Sequence, residues 1–343
     1  MKYYFFFISL IFISCQEEIT LDLPQAERKL VVEANIETDF PPYVILSRNQ
    51  GYFESIDFDT YNNLFVDDAE VKVFVYENGI KKDSITLEKF DLIDSLPIIY
   101  TDVDWFENRI TNNDKTPYLF SQEERTYFLE IKWNNQIITA ETFIPKSTPL
   151  DCLWVEKNET DEEKDYKYDI RAIYSDPADK QNNILIKSRR TKHQQLNQEE
   201  CKINDIPDFP LKLVDAGSDI LINGETFETY FPRPNEKGFP TGKYNGTHIE
   251  ECENDSTKEL DKDIVLIKFC QIDEPSMKFW RGVVRQAGTN GNPFAEPMNL
   301  SSNINGGLGN FTGIGAVYYK VPIIEDNVIK NTFNDSLAAF DIF

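Results

Sequence analysis

Histidines and carboxylates are the first residues to consider for catalysis. The chain has only two histidines, His193 and His248, and neither belongs to an HExxH motif or lies near a GxSxG motif. Its 59 aspartates and glutamates are spread along the chain, so no pair stands out as the acid and base of a glycoside hydrolase. The sequence therefore predicts no catalytic residues, no cofactor and no metal site.

The five cysteines could provide a lipid anchor and disulfides. Besides Cys15 there are Cys152, Cys201, Cys252 and Cys270, an even number that allows two disulfides in three possible pairings in an exported chain. Cys201 and Cys252 bracket a polar region and make the most plausible bridge. Cys152 and Cys270 lie in apolar, strand-like contexts and could equally be buried thiols. The cysteines form no CxxC motif, so their spacing does not indicate a zinc site.

A glycine-rich segment, 306–309, lacks the lysine and hydroxyl residue that follow in a phosphate-binding loop. We interpret it as a tight turn into which side chains do not fit.

Side chains in glycine- and proline-containing loops are weak candidates for contacts with a ligand or partner protein, although core packing is the stronger expectation for each ring. These candidates are Tyr230, Phe231, Arg233, Phe239 and Tyr244.

The N-terminal residues predict export and lipidation. Lys2 precedes an apolar run over residues 3–13 that contains one polar residue, Ser9. The run is as long as the core of a secretory signal and shorter than the roughly 20 residues of a membrane-spanning helix. The run ends at Cys15 in a pattern that resembles a bacterial lipobox, with Phe12 in place of the usual leucine. We expect residues 1–14 to be a signal peptide and Cys15 to carry lipid. The alternative is an ordinary cleaved signal that leaves a thiol.

Composition and charge describe a folded, acidic chain. Residues 15–28 show no core pattern, so we expect them to be a lipidated tether between the anchor and the globular part. The formal net charge of −24 argues against nucleic acid or an anionic membrane surface as a partner, because both need basic patches. Solubility is the simpler reason for this charge, and a preference for cationic ligands or metal ions is the alternative.

Residues 29–147 predict an immunoglobulin-like β-sandwich. Residues 69–76 alternate between apolar side chains and side chains that are mostly charged or polar, as a half-buried strand does. Asn78-Gly79 and Asn134-Asn135 are hairpin signals. Short strands, turn residues and the absence of an amphipathic helical pattern are typical of a sandwich.

Residues 149–343 predict a second β-rich domain, a sandwich or a barrel, with one short helix. The helix follows the apolar strand 263–270, with Asp273 or Glu274 as its cap and Gly288 at its end. Its apolar face is expected to contact the core and consists of Met277, Trp280, Val284 and Ala287.

The C-terminal segments resemble a known family. Residues 292–297, 302–304 and 306–311 look like the closing signature of the domain of unknown function DUF4249, a family of Bacteroidota outer-membrane lipoproteins. The lipoprotein cysteine and the segments 30–34 and 66–71 also fit, so the resemblance covers nearly the whole chain.

The resemblance implies an accessory role in nutrient capture, because such proteins are commonly found beside TonB-dependent outer-membrane receptors. The segment 16–18 also looks like the acidic signal that sends many Bacteroidota lipoproteins to the cell surface. We therefore expect a non-enzymatic outer-membrane lipoprotein, anchored through Cys15 and exposed at the cell surface. It would bind a ligand or dock on a TonB-dependent transporter. The alternatives are an exported hydrolase that uses carboxylates or a metal ion, and an assembly or structural factor of the envelope.

Overall fold

Strands dominate the part of the chain that the structure describes, which confirms the predicted mainly β fold. A computed structural model describes residues 28–50, 64–77, 79–90, 97–112, 116–157, 168–191, 193–197, 202–206, 211–220, 223–231, 264–289, 299–323 and 328–332. The predicted signal peptide and all of the tether except Arg28 lie outside these residues.

The N-terminal half consists of seven strands and one helix among the described residues. They are β1 Leu30–Glu37, β2 Tyr43–Arg48, β3 Glu70–Glu77, β4 Ile80–Phe90, β5 Ile99–Thr101, α1 Val103–Asn112, β6 Arg125–Trp133 and β7 Gln136–Ile144.

The C-terminal half adds eleven strands and a second helix among the described residues. They are β8 Cys152–Lys157, β9 Tyr168–Ser175, β10 Asn183–Thr191, β11 His193–Asn197, β12 Lys202–Ile206, β13 Lys212–Ser218, β14 Thr226–Phe231, β15 Ile264–Ile272, α2 Glu274–Thr289, β16 Ile304–Asn305, β17 Leu308–Pro322 and β18 Val328–Ile329.

Two local patterns produce the structure that the sequence predicts. In β3 the side chains of Val71, Val73 and Val75 are buried, as their alternation requires. The turn between β6 and β7 has φ values of 48° at Asn134 and 59° at Asn135. Positive φ at both positions is what a two-residue type I′ hairpin needs, and asparagine tolerates it well.

The long strand β17 joins the two halves. Twelve strands form one sheet in the order β13-β10-β15-β17-β1-β2-β5-β4-β3-β6-β7-β16. The first part of β17 pairs with β1 in parallel, and its second part pairs with β15 in antiparallel fashion. A four-stranded sheet, β14-β9-β8-β18, and the pair β11-β12 complete the strands of the described residues.

Each half has its own hydrophobic cluster, and β17 contributes to both. The first cluster lies among β1 to β7 and includes Phe311 from β17. The second lies among β8, β9, β14 and β15 and includes Val317, Tyr319 and Val321. The clusters divide close to the predicted boundary at 147–149, while the large sheet runs through both halves. The division into two domains stays a prediction.

The sheet curls until β7 lies against β17, and glycine makes this approach possible. A Cβ atom at Gly313 would lie 2.4 Å from the carbonyl oxygen of Phe143 in β7. At Gly309 a Cβ would lie 1.9 Å from the carbonyl oxygen of Val32, and φ is +105°, a conformation that only glycine adopts readily. The strand therefore cannot carry side chains at these positions.

Polar side chains fill the seam between β7 and β17. Asn303 donates to the carbonyl oxygens of Glu141, at 3.2 Å, and Phe311, at 2.8 Å, and accepts from the Phe311 amide at 2.9 Å. Thr142 accepts a hydrogen bond of 2.7 Å from the Gly313 amide. These bonds satisfy backbone groups that the curled strands cannot pair with each other.

Both helices cover the same surface of the large sheet, which we call the helix-bearing face; it includes Tyr43, Ile314 and Tyr318. Helix α1 was not predicted, because it is short and its apolar contacts are with residues distant in the chain. Asp102 caps it by accepting a hydrogen bond of 3.0 Å from the Trp105 amide. Phe106 then packs with Tyr43 and Tyr318.

Helix α2 is the helix that the sequence predicts. Asp273 is its cap and accepts a hydrogen bond of 3.0 Å from the Ser276 amide. The expected core contact is confirmed for Met277, Trp280 and Val284, whereas Ala287 is exposed. Neither described helix is long and apolar enough to cross a membrane.

The glycine contact predicts a large effect of a single methyl group. We expect Gly313→Ala to lower the free energy of unfolding by about 2–3 kcal/mol, since the added atom overlaps the β7 backbone. Urea denaturation of the purified protein measures this change. Gly217→Ala is the control, because a Cβ there meets no atom within 4 Å and a change of about 0.5 kcal/mol or less is expected. Equal losses in the two variants would contradict the prediction.

Candidate functional site

A groove of about 760 Å³ lies on the helix-bearing face, between α2 and strands β1 and β17. Its volume is within the range of roughly 300–1,000 Å³ that is usual for small-molecule sites. The segment 299–302 lines it as well. The groove therefore combines rigid strands as a floor with a helix as one wall.

Strand alternation determines which residues form the floor. Val32, Ala34 and Ile36 of β1 are buried in the first cluster, so Glu33 and Asn35 must face the opposite side of the sheet. The parallel register places Glu33 beside Asn310 and Asn35 beside Thr312 of β17. Four polar residues from two neighbouring strands thus meet on the helix-bearing face.

Apolar side chains form the wall above this floor. Phe279, Trp280 and Val283 line the groove from α2, and Leu300 and Leu308 line it from outside the helix. The indole N–H of Trp280 donates to the Thr312 hydroxyl at 3.0 Å, which ties the wall to the floor. A Cβ at position 282 would lie 2.8 Å from Leu300 Cδ2, so this glycine lets Leu300 approach the helix closely.

Two asparagine side chains in the floor have unused acceptor oxygens. Asn35 is 2% exposed and Asn310 is 3% exposed. The Asn35 amide donates to the Tyr43 hydroxyl at 2.9 Å, and the Asn310 amide donates to Thr312. Neither Oδ1 accepts a hydrogen bond from any residue that the structure describes. A buried acceptor without a donor costs about 1–3 kcal/mol, and each of these oxygens is less than 1 Å² exposed.

The groove carries little charge. Glu33 is the one charged residue among the described residues that line it. The ammonium of Lys187 lies 4.6 Å from the centre of the Trp280 ring, but Lys187 does not line the groove. A carboxylate and two carbonyl oxygens make the floor unfavourable for an anion.

A buried ion pair lies on the same face of the sheet. Lys268 Nζ is 2.7 Å from Glu37 Oε2, and both side chains are buried. The Tyr318 hydroxyl donates to the other oxygen of Glu37, and Lys268 lies 5.6 Å from the centre of the Tyr318 ring. The pair is enclosed by protein, so its role is structural. A lysine within the otherwise apolar strand β15 was the sequence signal for it.

A second group of buried polar residues lies where β10 and β13 meet. Asp219 accepts a hydrogen bond of 2.6 Å from the Asn182 amide. Burial, and the charge of Asp176 nearby, raise the pKa of Asp219. Asp176 accepts hydrogen bonds from Tyr174 and Gly224. In the described part of the chain no three His, Cys, Asp or Glu residues are placed to hold a metal ion.

Of the predicted contact residues the structure describes Tyr230 and Phe231, and neither lines the groove. Tyr230 is 47% exposed on β14, and the Arg171 guanidinium lies 5.6 Å from its ring centre. Phe231 is 1% exposed and belongs to the second hydrophobic cluster. Core packing, the stronger expectation for this ring, is therefore what the structure shows, because alternation along β14 turns the ring into the core. The other predicted site residues lie outside the described residues: Cys15, Cys201, Arg233, Phe239, Tyr244 and Cys252.

The remaining cysteines and the glycine-rich segment have clear places. Cys270 is buried in β15, and Cys152 in β8 is a half-buried free thiol.

In the glycine-rich segment, Gly306 has φ of +86°. A Cβ at Gly307 would lie 2.9 Å from the carbonyl oxygen of Leu30. The segment is thus a tight turn in which Gly306 supplies a positive φ and Gly307 leaves no room for a Cβ.

The chain matches a known protein family. The family model of the domain of unknown function (DUF4249) matches residues 16–318. This range includes all the described residues that line the groove. No curated protein matches the chain.

The buried ion pair gives a prediction of stability. Lys268→Met leaves the Glu37 carboxylate buried without its cation, so we expect a loss of about 3–5 kcal/mol in the free energy of unfolding, measured with urea. The double variant Lys268→Met/Glu37→Leu should recover most of this loss, because no charge is then left unpaired. Lys72→Met, which removes a partly exposed pair with Glu70, should cost about 1 kcal/mol or less. A double variant as unstable as the single one would contradict the explanation.

Proposed function

Since the chain belongs to the DUF4249 family, we propose that it is an outer-membrane lipoprotein that binds a ligand and has no catalytic activity. One observation carries the binding role. The groove beside α2 has a volume of about 760 Å³ and places the partly exposed rings of Phe279 and Trp280 next to polar residues of β1 and β17.

The groove is formed by paired strands and one wall of α2. Strand β1 is paired with β2 and with residues 308–314 of β17. The hydrogen bond from the Trp280 indole to Thr312 holds the wall against the floor. A site that is formed before binding needs little ordering when a ligand enters.

The residues that line the groove support binding rather than catalysis. Glu33 is the one carboxylate there, and the described lining includes no histidine, cysteine, lysine or arginine. A general acid or base must lie within hydrogen-bond reach of the proton that it transfers, and Glu33 is the one ionisable candidate in the described lining. A groove with a single carboxylate and several amides and hydroxyls is suited to holding a molecule.

The lipid anchor would keep the groove close to the membrane. The tether of residues 15–28 leads directly into β1, which forms part of the floor. About 14 residues at roughly 3.3–3.6 Å each reach at most about 50 Å. A partner in the same membrane, such as a TonB-dependent β-barrel receptor, would lie within this distance. We propose transfer of the ligand to such a receptor at the cell surface.

Anchoring through Cys15 gives a direct prediction. The wild-type protein should fractionate with the outer membrane and enter the detergent phase of Triton X-114, because each buried acyl methylene contributes about 0.8 kcal/mol. Cys15→Ala should lose both properties. Cys152→Ala, which removes a different thiol, should leave both unchanged. If Cys15→Ala still fractionated with the outer membrane and still entered the detergent phase of Triton X-114, lipidation at Cys15 would be contradicted.

Ligand binding at the groove is tested with paired variants on α2. Gln286 lines the groove, whereas Ala287 is exposed and does not. Compounds that raise the melting temperature of the full-length protein should be found by screening neutral, cationic and anionic small molecules. Gln286→Arg should abolish the increase, and Ala287→Arg should preserve it. The proposed function would be contradicted if the screen found no compound whose increase in melting temperature is abolished by Gln286→Arg.

A further inference from the structure

We propose that Asp176 and Asp219 bind one proton between them, at pH values at which exposed carboxyl groups are ionised. This proton joins the loop 176–182 to the end of strand β13, and its loss at higher pH weakens the joint. Neither residue lines the groove beside α2, so this inference does not depend on the proposed function.

The backbone fixes the positions of the two aspartates at one end of the C-terminal half. Asp176 follows β9 directly, and Asp219 follows β13 directly. The Asp176 amide donates to the Glu225 carbonyl oxygen at 3.1 Å, and the Asp219 amide donates to the Asn182 carbonyl oxygen at 3.1 Å. Both side chains are buried, with Asp176 7% exposed and Asp219 0% exposed.

Asn182 connects the two carboxyl groups. Its backbone amide donates to Asp219 Oδ2 at 2.6 Å, and its side-chain amide donates to Asp176 Oδ1 at 3.0 Å. Asp176 also accepts hydrogen bonds from the Tyr174 hydroxyl, at 3.1 Å, and from the Gly224 amide, at 2.9 Å. Asp176 therefore has three donors, which is the environment that a buried carboxylate requires.

Asp219 lacks such an environment. Its Oδ1 is buried and accepts no hydrogen bond from a described residue, although the two carboxyl groups lie within hydrogen-bond reach of each other. Two ionised carboxylates at this separation repel each other strongly when they are buried. A proton on Asp219 Oδ1 removes the repulsion and donates a hydrogen bond to Asp176. A carboxylate has about four acceptor positions, so Asp176 can accept this fourth bond.

The surroundings of Asp219 also favour its protonated form. Burial raises the pKa of the Asp219 carboxyl above its ordinary value of 3.8. The hydrogen bond from the Asn182 amide opposes this shift of the pKa, and the charge of Asp176 and the bond to its carboxyl group add to it. The geometry and the electrostatics thus agree on one proton for two carboxyl groups.

Cations on the surrounding elements contact other groups. They are Lys180 beside Glu124, Arg171 beside Glu228, Lys187 beside the Trp280 ring, and Lys212 at the start of β13. Other ionisable groups nearby are Tyr174, which donates to Asp176, Asp273, which caps α2, and the exposed Asp151, Asp179, Asp215 and Glu225. No described cation is among the groups that shift the pKa of Asp219.

The loop that the pair holds forms one wall of a second cavity. The volume of this cavity is about 570 Å³. Residues 177 and 179–182 of the loop line it, together with the segment 145–149 and the start of α2. A weaker joint between the loop and β13 therefore acts directly on the wall of this cavity.

The stability of the protein should fall as the pH rises above the ordinary pKa of 3.8 for Asp219. Below that pH the folded and the unfolded chain both carry the proton. Above it the unfolded chain loses the proton while the folded chain keeps it, so the equilibrium constant for unfolding rises by up to tenfold per pH unit. The rise ends at the raised pKa of the folded protein.

The first test compares the full-length wild type with Asp219→Asn by urea denaturation from about pH 4 to about pH 8. An asparagine amide donates to Asp176 as the protonated acid does, and its oxygen accepts from Asn182. We expect the unfolding constant of the wild type to rise about tenfold relative to that of Asp219→Asn over this range. Asp215→Asn removes an exposed carboxyl group from the same strand and should follow the wild type. A ratio of wild type to Asp219→Asn that stays constant with pH would overturn the proposal.

Infrared spectroscopy detects the proton itself. The carbonyl band of a protonated carboxyl group should persist in the wild type at pH values at which exposed carboxyl groups have lost it. This band should be missing from Asp219→Asn and present in Asp215→Asn. If Asp219→Asn does not fold, Asp176→Asn replaces it: removal of the neighbouring charge should move the loss of the band to lower pH. No such band in the wild type, or a band that neither substitution changes, would overturn the proposal.

Amide hydrogen exchange tests the joint. Exchange in the loop 176–182 should increase with pH more in the wild type than in Asp219→Asn, since the variant keeps its hydrogen bond to Asp176 at every pH. Equal increases in the two proteins would overturn the role of the proton in holding the loop.

Discussion

The close contact between β7 and β17 is the constraint on which the rest of the structure depends. The large sheet can curl this tightly because Gly313 leaves the Phe143 carbonyl oxygen the space that a side chain would take. Asn303 and Thr142 then supply hydrogen bonds across the seam. Through this contact β17 closes the first hydrophobic cluster, while its other end covers the second.

The same strand sets the geometry of the groove. Residues of β17 alternate between the clusters on one side and the helix-bearing face on the other, so Phe311 is in the core and Asn310 and Thr312 are in the floor. A shift of one residue in the register would exchange these two sets. Gly309 permits one register with β1, since no other residue tolerates its φ and its distance from Val32. The glycine-rich motif is therefore structural, and it positions the groove.

Local patterns in the sequence predicted local structure well. The alternation in β3, the asparagine turn after β6 and the capped helix α2 all follow from residues that are neighbours in the chain. Helix α1 was missed because its stability comes from Phe106 packing with Tyr43 and Tyr318. The groove was missed for the same reason, since Asn35 and Asn310 meet through a pairing of β1 with β17 that no local pattern reveals. The sequence indicated aromatic residues in loops as candidate contact residues instead, and one of them, Phe231, belongs to the core.

The pairing of β1 with β17 has a consequence for how the chain is made. Synthesis delivers β1 among the first strands and β17 among the last, so β1 has one neighbour, β2, until nearly the whole chain is available. Contacts between such distant segments close slowly, because the chain between them must first be ordered. A newly made chain therefore exposes one edge of β1 and both unfinished clusters, and a chain cut before β17 exposes them permanently. The pairing of β1 with β17 therefore waits until most of the described strands have been made.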